Sequence, residues 1–176
     1  FVLLGRRFDD LETDYVVPDD IQGSFLTTGY LIKLGHKNVA FIDGPLYISS
    51  AWERFKGYKK ALDQYGIGLN KSLIHAGVIT AEDDYAVAKD LLKRLLQITA
   101  IFTYSDFVVF SVMKAVHETK LKIPKDIVIV SYNNINFSSC LEVSLTTVKI
   151  SKEDMGQKAL LLLQERIKDG LKVHSK

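Results

Sequence analysis

Cysteine is almost missing from this chain: Cys140 stands alone among 176 residues, so no disulfide can close within it. That suits a reducing compartment, and a cytoplasmic location is expected. Neither charge is in excess, with Lys+Arg 23 against Asp+Glu 21 and a net charge of +2. Such a balance argues against a dedicated nucleic-acid surface within this stretch. Long apolar runs are missing too; none reaches the roughly 18 residues of a spanning helix. Phe1 to Leu4 is apolar, but Arg6 and Arg7 follow at once, which fits neither a secretory signal nor a membrane segment. No membrane partner is expected. Hydrophobic residues at 47% and charged residues at 25% are ordinary globular proportions and exclude a low-complexity chain. The first residue is Phe rather than Met, so a piece of something longer is expected. Its length suits one domain, or one and a part.

Reaction motifs are also lacking. No Gly-x-Gly-x-x-Gly follows a strand, and no Gly-Lys-Ser/Thr phosphate loop or His-Glu-x-x-His occurs. His36, His75, His117 and His174 are scattered without ligand spacing, so no metal and no cofactor is expected. Cys140 has no His or Asp partner near it in sequence and reads as a packed thiol. Ser49 and Ser50 lie outside any nucleophile elbow and read as helix caps. Asp9-Asp10, Asp19-Asp20 and Asp83-Asp84 read as complements to helix dipoles. Nothing assembles an acid, a base and a nucleophile, so no enzyme is expected.

What is present is alternation. Phe1–Leu4 and Asp14–Val17 read as strands ended by Gly5 and Pro18. Gly23 to Leu34 reads as an amphipathic helix burying Phe25, Tyr30, Leu31 and Leu34. Asn38–Ile42 is a buried-type strand, and a helix follows from Ser49 or Ser50 to about Tyr65. Ser72–Ala76 is a weaker strand. Thr80–Leu96 is the best helix, with Tyr85, Ala88, Leu91, Leu92 and Leu95 on one face. Ala100–Thr103 is a strand, and Ser105 or Asp106 starts the next helix. Asp126–Val130 is a strand, Ser131–Asn134 a polar loop, Thr146–Ile150 extended, and Lys152–Lys168 a last helix. Strands alternating with helices argue for an α/β fold with doubly wound parallel sheets. Ligands bind such sheets beyond the strands' carboxyl ends, here 43–50, 77–80, 104–106 and 132–136. Arg54 is either an exposed partner of Glu53 or a nearby Asp, or a fork of donors reaching into a cleft. Trp52 is either half-buried core or a flat wall for a ring.

Tyr30-Leu31-Ile32-Lys33-Leu34-Gly35-His36-Lys37-Asn38-Val39-Ala40-Phe41-Ile42-Asp43-Gly44-Pro45 resembles a helix-and-strand signature of the LacI/GalR transcription-regulator family. Ser50-Ala51-Trp52-Glu53-Arg54-Phe55-Lys56-Gly57-Tyr58 is similar to its next helix. Thr99–Phe102, Ser105-Asp106, Met113–Ala115, Ile123–Ile127, Tyr132–Asn134, Leu145–Val148 and Met155-Gly156 continue the likeness in order.

The resemblance implies a two-lobed, type I periplasmic-binding-protein-like fold whose amino-terminal lobe is incomplete in this chain. Residues 1–20 would end that lobe, 21–148 would build the carboxyl-terminal lobe, and 149–176 would return. It implies an effector cleft between the lobes that takes a sugar, sugar phosphate or purine. It also implies a homodimer, and operator DNA bound through a domain absent from this chain. Carried over by position, Arg54, Asn133, Ser105, Asp106, Ser50 and Ile79 line the cleft, with Trp52 as a candidate wall. Phe110, Met113, Phe137 and Leu141 fall on the dimer face. Asn133 stands where the family usually has Asp, Ser111 and Ser131 where Gly is common, and Val143-Ser144 where a Pro-containing pair is usual. The implied function is the effector-binding and dimerisation domain of a regulator, in first place a repressor. The alternative is a periplasmic sugar-binding protein, because one fold serves both.

Overall fold

The computed structural model describes residues 1–77, 80–94, 97–140 and 143–169. Two short parallel strands, β1 (Val2–Leu4) and β2 (Asp14–Val16), pair with each other. The chain then builds α1 (Asp20–Lys33), β3 (Val39–Ile42), α2 (Ser49–Gln64), β4 (Ile74–His75) and α3 (Ala81–Lys93). After these come β5 (Ala100–Thr103), α4 (Asp106–His117), β6 (Val128–Asn133), β7 (Thr146–Lys149) and α5 (Lys152–Asp169). Strands β3 to β7 form a five-stranded parallel sheet in the order β4-β3-β5-β6-β7. Helix α5 packs back on β1 and β2. The expected doubly wound, parallel α/β fold is therefore present.

Side chains alternate across a strand, and here the alternation sorts two cores. Ala40, Ile42 and Ile101 face α3 and α4, where Leu91, Val108 and Val112 meet them. Val39, Phe41, Ala100 and Phe102 face α1 and α2, where Leu31, Tyr58 and Leu62 meet them. Both β3 and β5 are buried along their whole length, as strands covered on two faces must be. The serines at glycine-type positions are bonded: Ser131 Oγ accepts from Thr103 Oγ1 (2.9 Å), and Ser111 Oγ donates to the Ala81 carbonyl (3.0 Å).

Three local expectations are corrected. Helix α1 buries Asp20, Ser24, Thr28, Gly29 and Leu31, whereas Tyr30 and Leu34 are exposed. The reason is the close approach of α2: a Cβ at Gly57 would stand 2.2 Å from the Ile21 carbonyl and 2.8 Å from Ser24 Cβ. Only small residues fit that seam, and Ser24 Oγ donates to the Arg54 carbonyl across it (2.6 Å). Second, neither Ser49 nor Ser50 caps α2; the cap position is Ile48, without a side-chain bond. Third, Ser131 to Asn133 continue β6 instead of forming a loop, because they keep pairing with β7. The expected packing of Leu95 and the side chain of Cys140 lie outside the described residues.

Candidate functional site

The order of strands reverses between β3 and β5: from β3 the chain steps outward to β4, then crosses to β5 on the other side. The crevice beyond the carboxyl ends at such a reversal is where open α/β sheets bind ligands. Helix α2 leaves that end of β3 and carries Arg54 in its second turn, 6% exposed. Arg54 Nε donates to Asp20 Oδ1 at 2.9 Å, its Nη1 to the Tyr104 carbonyl just after β5, and its Nη2 to Asn133 Oδ1 at 3.4 Å. The guanidinium lies 3.9 Å from the centroid of the Tyr132 ring, a cation–π contact. Asn133 Nδ2 in turn donates to Ser105 Oγ at 3.2 Å, and Ser105 caps α4. Asn133 has a φ of 103°, a backbone few non-glycine residues adopt, and its side chain is held at both ends.

Arg54, Ser105 and Asn133 are thus brought together, and Ser50 is half-buried one turn before Arg54 on the same helix. Two other expected site residues are not brought to the group. Asp106 is buried and already bonded three times: its carboxylate accepts from Ile135 N (2.8 Å), Ser138 Oγ (3.0 Å) and Thr147 Oγ1 (2.7 Å). It bolts the segment after β6 to β7 and leaves little acceptor capacity for a ligand. Trp52, two residues before Arg54, projects about 200° round the helix from it. Its ring is 44% exposed and lies 5.7 Å from the Phe55 ring. Ile79 is outside the described residues.

Three residues of the site were not singled out in the sequence, although Asp43 and Tyr132 open two of the strand-end windows it marked. Asp20 does stand in the first turn of α1, as a dipole complement would, but its carboxylate is also the buried partner of Arg54. Burial pushes its carboxyl up, while Arg54 and Tyr132 pull it back. The signal was its spacing with Ser24, Thr28 and Leu31, which puts it on one helix face with them. Tyr132 is the second, and Gly23 makes room for it, since a Cβ there would stand 2.0 Å from the hydroxyl. Asp43 is the third. It is fully buried just past β3, Oδ1 accepts from Gly44 N (2.8 Å), and Oδ2 has no partner among the described residues. Burial raises its carboxyl to about 8, with Gly44 N–H and Arg54 opposing. Nearby Asp84 is raised to about 6 by burial and by Asp83.

Of the residues expected on a dimer face, Phe110 is exposed on α4 and Phe137 is 64% exposed in the short turn after β6. Met113 is half-buried against the α3–α4 core, and Leu141 lies outside the described residues. Phe107, one turn before Phe110, adds an exposed ring that the sequence reading omitted. No cluster of three metal-ligating side chains occurs among the described residues, and no described helix is long and apolar enough to cross a membrane.

Residues 28–176 match the family described as periplasmic binding protein-like domain. The chain belongs to that family. Its likeness to LacI-type regulators extends further, over 92–98% of the chain. The HTH-type transcriptional repressor PurR of Pasteurella multocida is 34% identical over 161 residues, covering 92% of this chain and 48% of the relative. The transcriptional regulator CelR in complex with cellobiose superposes with a TM-score of 0.90 at 28% identity, over 98% of this chain and 53% of that one. A LacI-family regulator from Enterococcus faecium with bound ribose gives 0.85 at 26%, over 98% and 64%. The chain spans about half the length of the curated relatives it matches, as the 48% shows.

Proposed function

We propose that this chain is the effector-binding and dimerisation domain of a DNA-binding transcriptional regulator, a repressor without catalytic activity. In this reading, residues 1–20 end an amino-terminal lobe, 21–148 form the carboxyl-terminal lobe, and 149–176 return to the first. The effector sits between the lobes. The observation that carries the reading is a buried arginine at the strand-order reversal, fixed on one side by Asp20 and by the Tyr104 carbonyl. A guanidinium held this way costs little further ordering when a ligand arrives, and its unused N–H groups suit the vicinal oxygens of a sugar, a sugar phosphate or a purine. Asn133 and Ser105 supply uncharged donors and acceptors beside it. The relatives named as repressors, and the regulators named with cellobiose or ribose, support a small polar effector.

The mechanism is a linkage. An effector that prefers the closed cleft shifts the lobe angle, and two domains joined as a symmetric dimer pass that shift to DNA-binding heads carried elsewhere in a cytoplasmic protein. Phe107, Phe110 and Phe137 are the apolar surface for that dimer. Titration calorimetry of the complete protein with ribose, cellobiose, a hexose phosphate and a purine base tests the cleft. At least one binds, and Arg54→Ala loses that heat; a variant of full affinity removes Arg54 from the site. In sedimentation, Phe110→Lys shifts the dimer toward monomer. A complete protein that binds sugar, but no DNA at any effector concentration, belongs instead with exported binding proteins.

A further inference from the structure

Arg7 belongs by sequence to the segment between β1 and β2, yet its strongest bonds run to α2. Its main-chain N–H donates to Ser49 Oγ at 3.1 Å, and its guanidinium pairs with the Glu53 carboxylate. On its own side, Arg7 Nε donates to Asp9 Oδ1 at 3.2 Å, and the guanidinium lies 5.9 Å from the centre of the Tyr15 ring on β2. One residue therefore stands on the first lobe and grips the first two turns of the helix that carries Arg54. Among the described residues, the hydrogen bonds and ion pair between the β1–β2 lobe and α2 all come from Arg7.

The pair is partly shielded, with Arg7 25% and Glu53 10% exposed at their side chains. Stabilisation of α2 does not account for it. A cation beside a helix N-terminus opposes the helix dipole, so Arg7 is held there by Glu53 and not by the helix end. In the lobe division proposed above, the lobes are otherwise joined by crossing segments near residues 19–22 and 149–151, which would serve as the hinge. An ion pair across a hinge exists only when the lobes are close. Once parted, Glu53 regains water; closed without Arg7, it is a shielded, unpaired carboxylate beside Asp20.

We propose that Arg7 is a positioning residue for the effector cleft: through Glu53 and Ser49 it fastens the first lobe onto α2 and holds the cleft closed over Arg54. This rests on the effector-cleft reading above. Pre-closure raises the competent fraction, so effector affinity scales with it, and losing the pair weakens binding by about tenfold if closure drops by that factor.

The test needs no effector, so it fails independently of that reading. Spin labels are placed at Glu12→Cys in the first lobe and Lys59→Cys on α2, in a complete protein in which Cys140 and every other native cysteine are replaced by Ser, and the distance is read by pulsed EPR. The parent should give one narrow distribution. Arg7→Ala and Glu53→Gln should each lengthen and broaden it, the double variant no more than either single, and Arg7→Lys should return most of the narrow population. Melting temperature should hold within the range of ordinary surface variants. A distribution unchanged by Arg7→Ala overturns the proposal, as does a double variant whose effect is the sum of the two singles.

Discussion

The two faces of the five-stranded sheet are built differently. The buried centre of the α3–α4 face is aliphatic, with Leu91, Val108, Val112 and Ile101 in its core and Tyr85 and Tyr104 packed against it from less buried positions. The α1–α2 face has an aromatic centre, Phe41 between Tyr58 at 4.8 Å and Phe102 at 5.0 Å, and beside it a seam of small and polar residues. In that seam Ser24, Asp20 and Arg54 are buried and bonded to one another's neighbourhood. The core of the first face holds only apolar packing. The second also positions a charge at the strand ends, and the comparison shows how: two helices come close enough through Gly57 to exclude water, and the acid that neutralises the arginine is carried on the partner helix. A buried ion pair is weak evidence for stability, because desolvation offsets most of the attraction. Its better-supported role here is to hold a donor group in place.

The largest effect that would sharpen this contrast is on the aromatic centre. Phe41→Ala should lower unfolding free energy by about 3–5 kcal/mol, against about 0.5–1.5 for Ile101→Val on the aliphatic face. Equal losses in urea titrations would mean that the two cores are not distinct in packing. Next comes the seam. Arg54→Ala strands Asp20 in a dry site and should cost about 3 kcal/mol, and adding Asp20→Asn should recover part of that loss. A double variant less stable than the single one would show that Asp20 is stabilised by groups other than Arg54. A third effect concerns protons. The Asp43 carboxyl is raised from its ordinary 3.8 to about 8, so the folded chain holds a proton that the unfolded chain has lost between those values. Stability from this group therefore falls as pH rises through that interval and levels off above about 8. Asp43→Asn keeps an acceptor for Gly44 N–H and should flatten the difference in denaturation midpoint between pH 5 and pH 8, whereas parallel pH profiles for the two proteins would refute it.

Much of the architecture could be read without coordinates. The apolar runs Val39–Ile42 and Ala100–Thr103 announced strands covered on both faces, and Ser105 announced the start of α4. The site was legible in outline, since Arg54, Ser105 and Asn133 do meet. Asp106 was misread because its neighbour Ser105 is in the site; only the fold brings Ile135, Ser138 and Thr147 around its carboxylate. The buried face of α1 was misread for a related reason. Hydrophobicity pointed to Tyr30 and Leu34, but what a helix buries depends on how near its neighbour comes, and that distance is set by a glycine 34 residues beyond Gly23 on another helix.

The sequence by itself determined the order of strands and helices, the parallel α/β class and the family likeness, because periodicity, turn residues and ordered motifs act over a few residues at a time. The tertiary structure alone decided which acid pairs with Arg54, that Arg7 reaches α2, and that Asp43 is sealed from water. Those depend on groups tens of residues apart meeting in a low-dielectric crevice, where burial and a neighbour's charge outweigh local propensity.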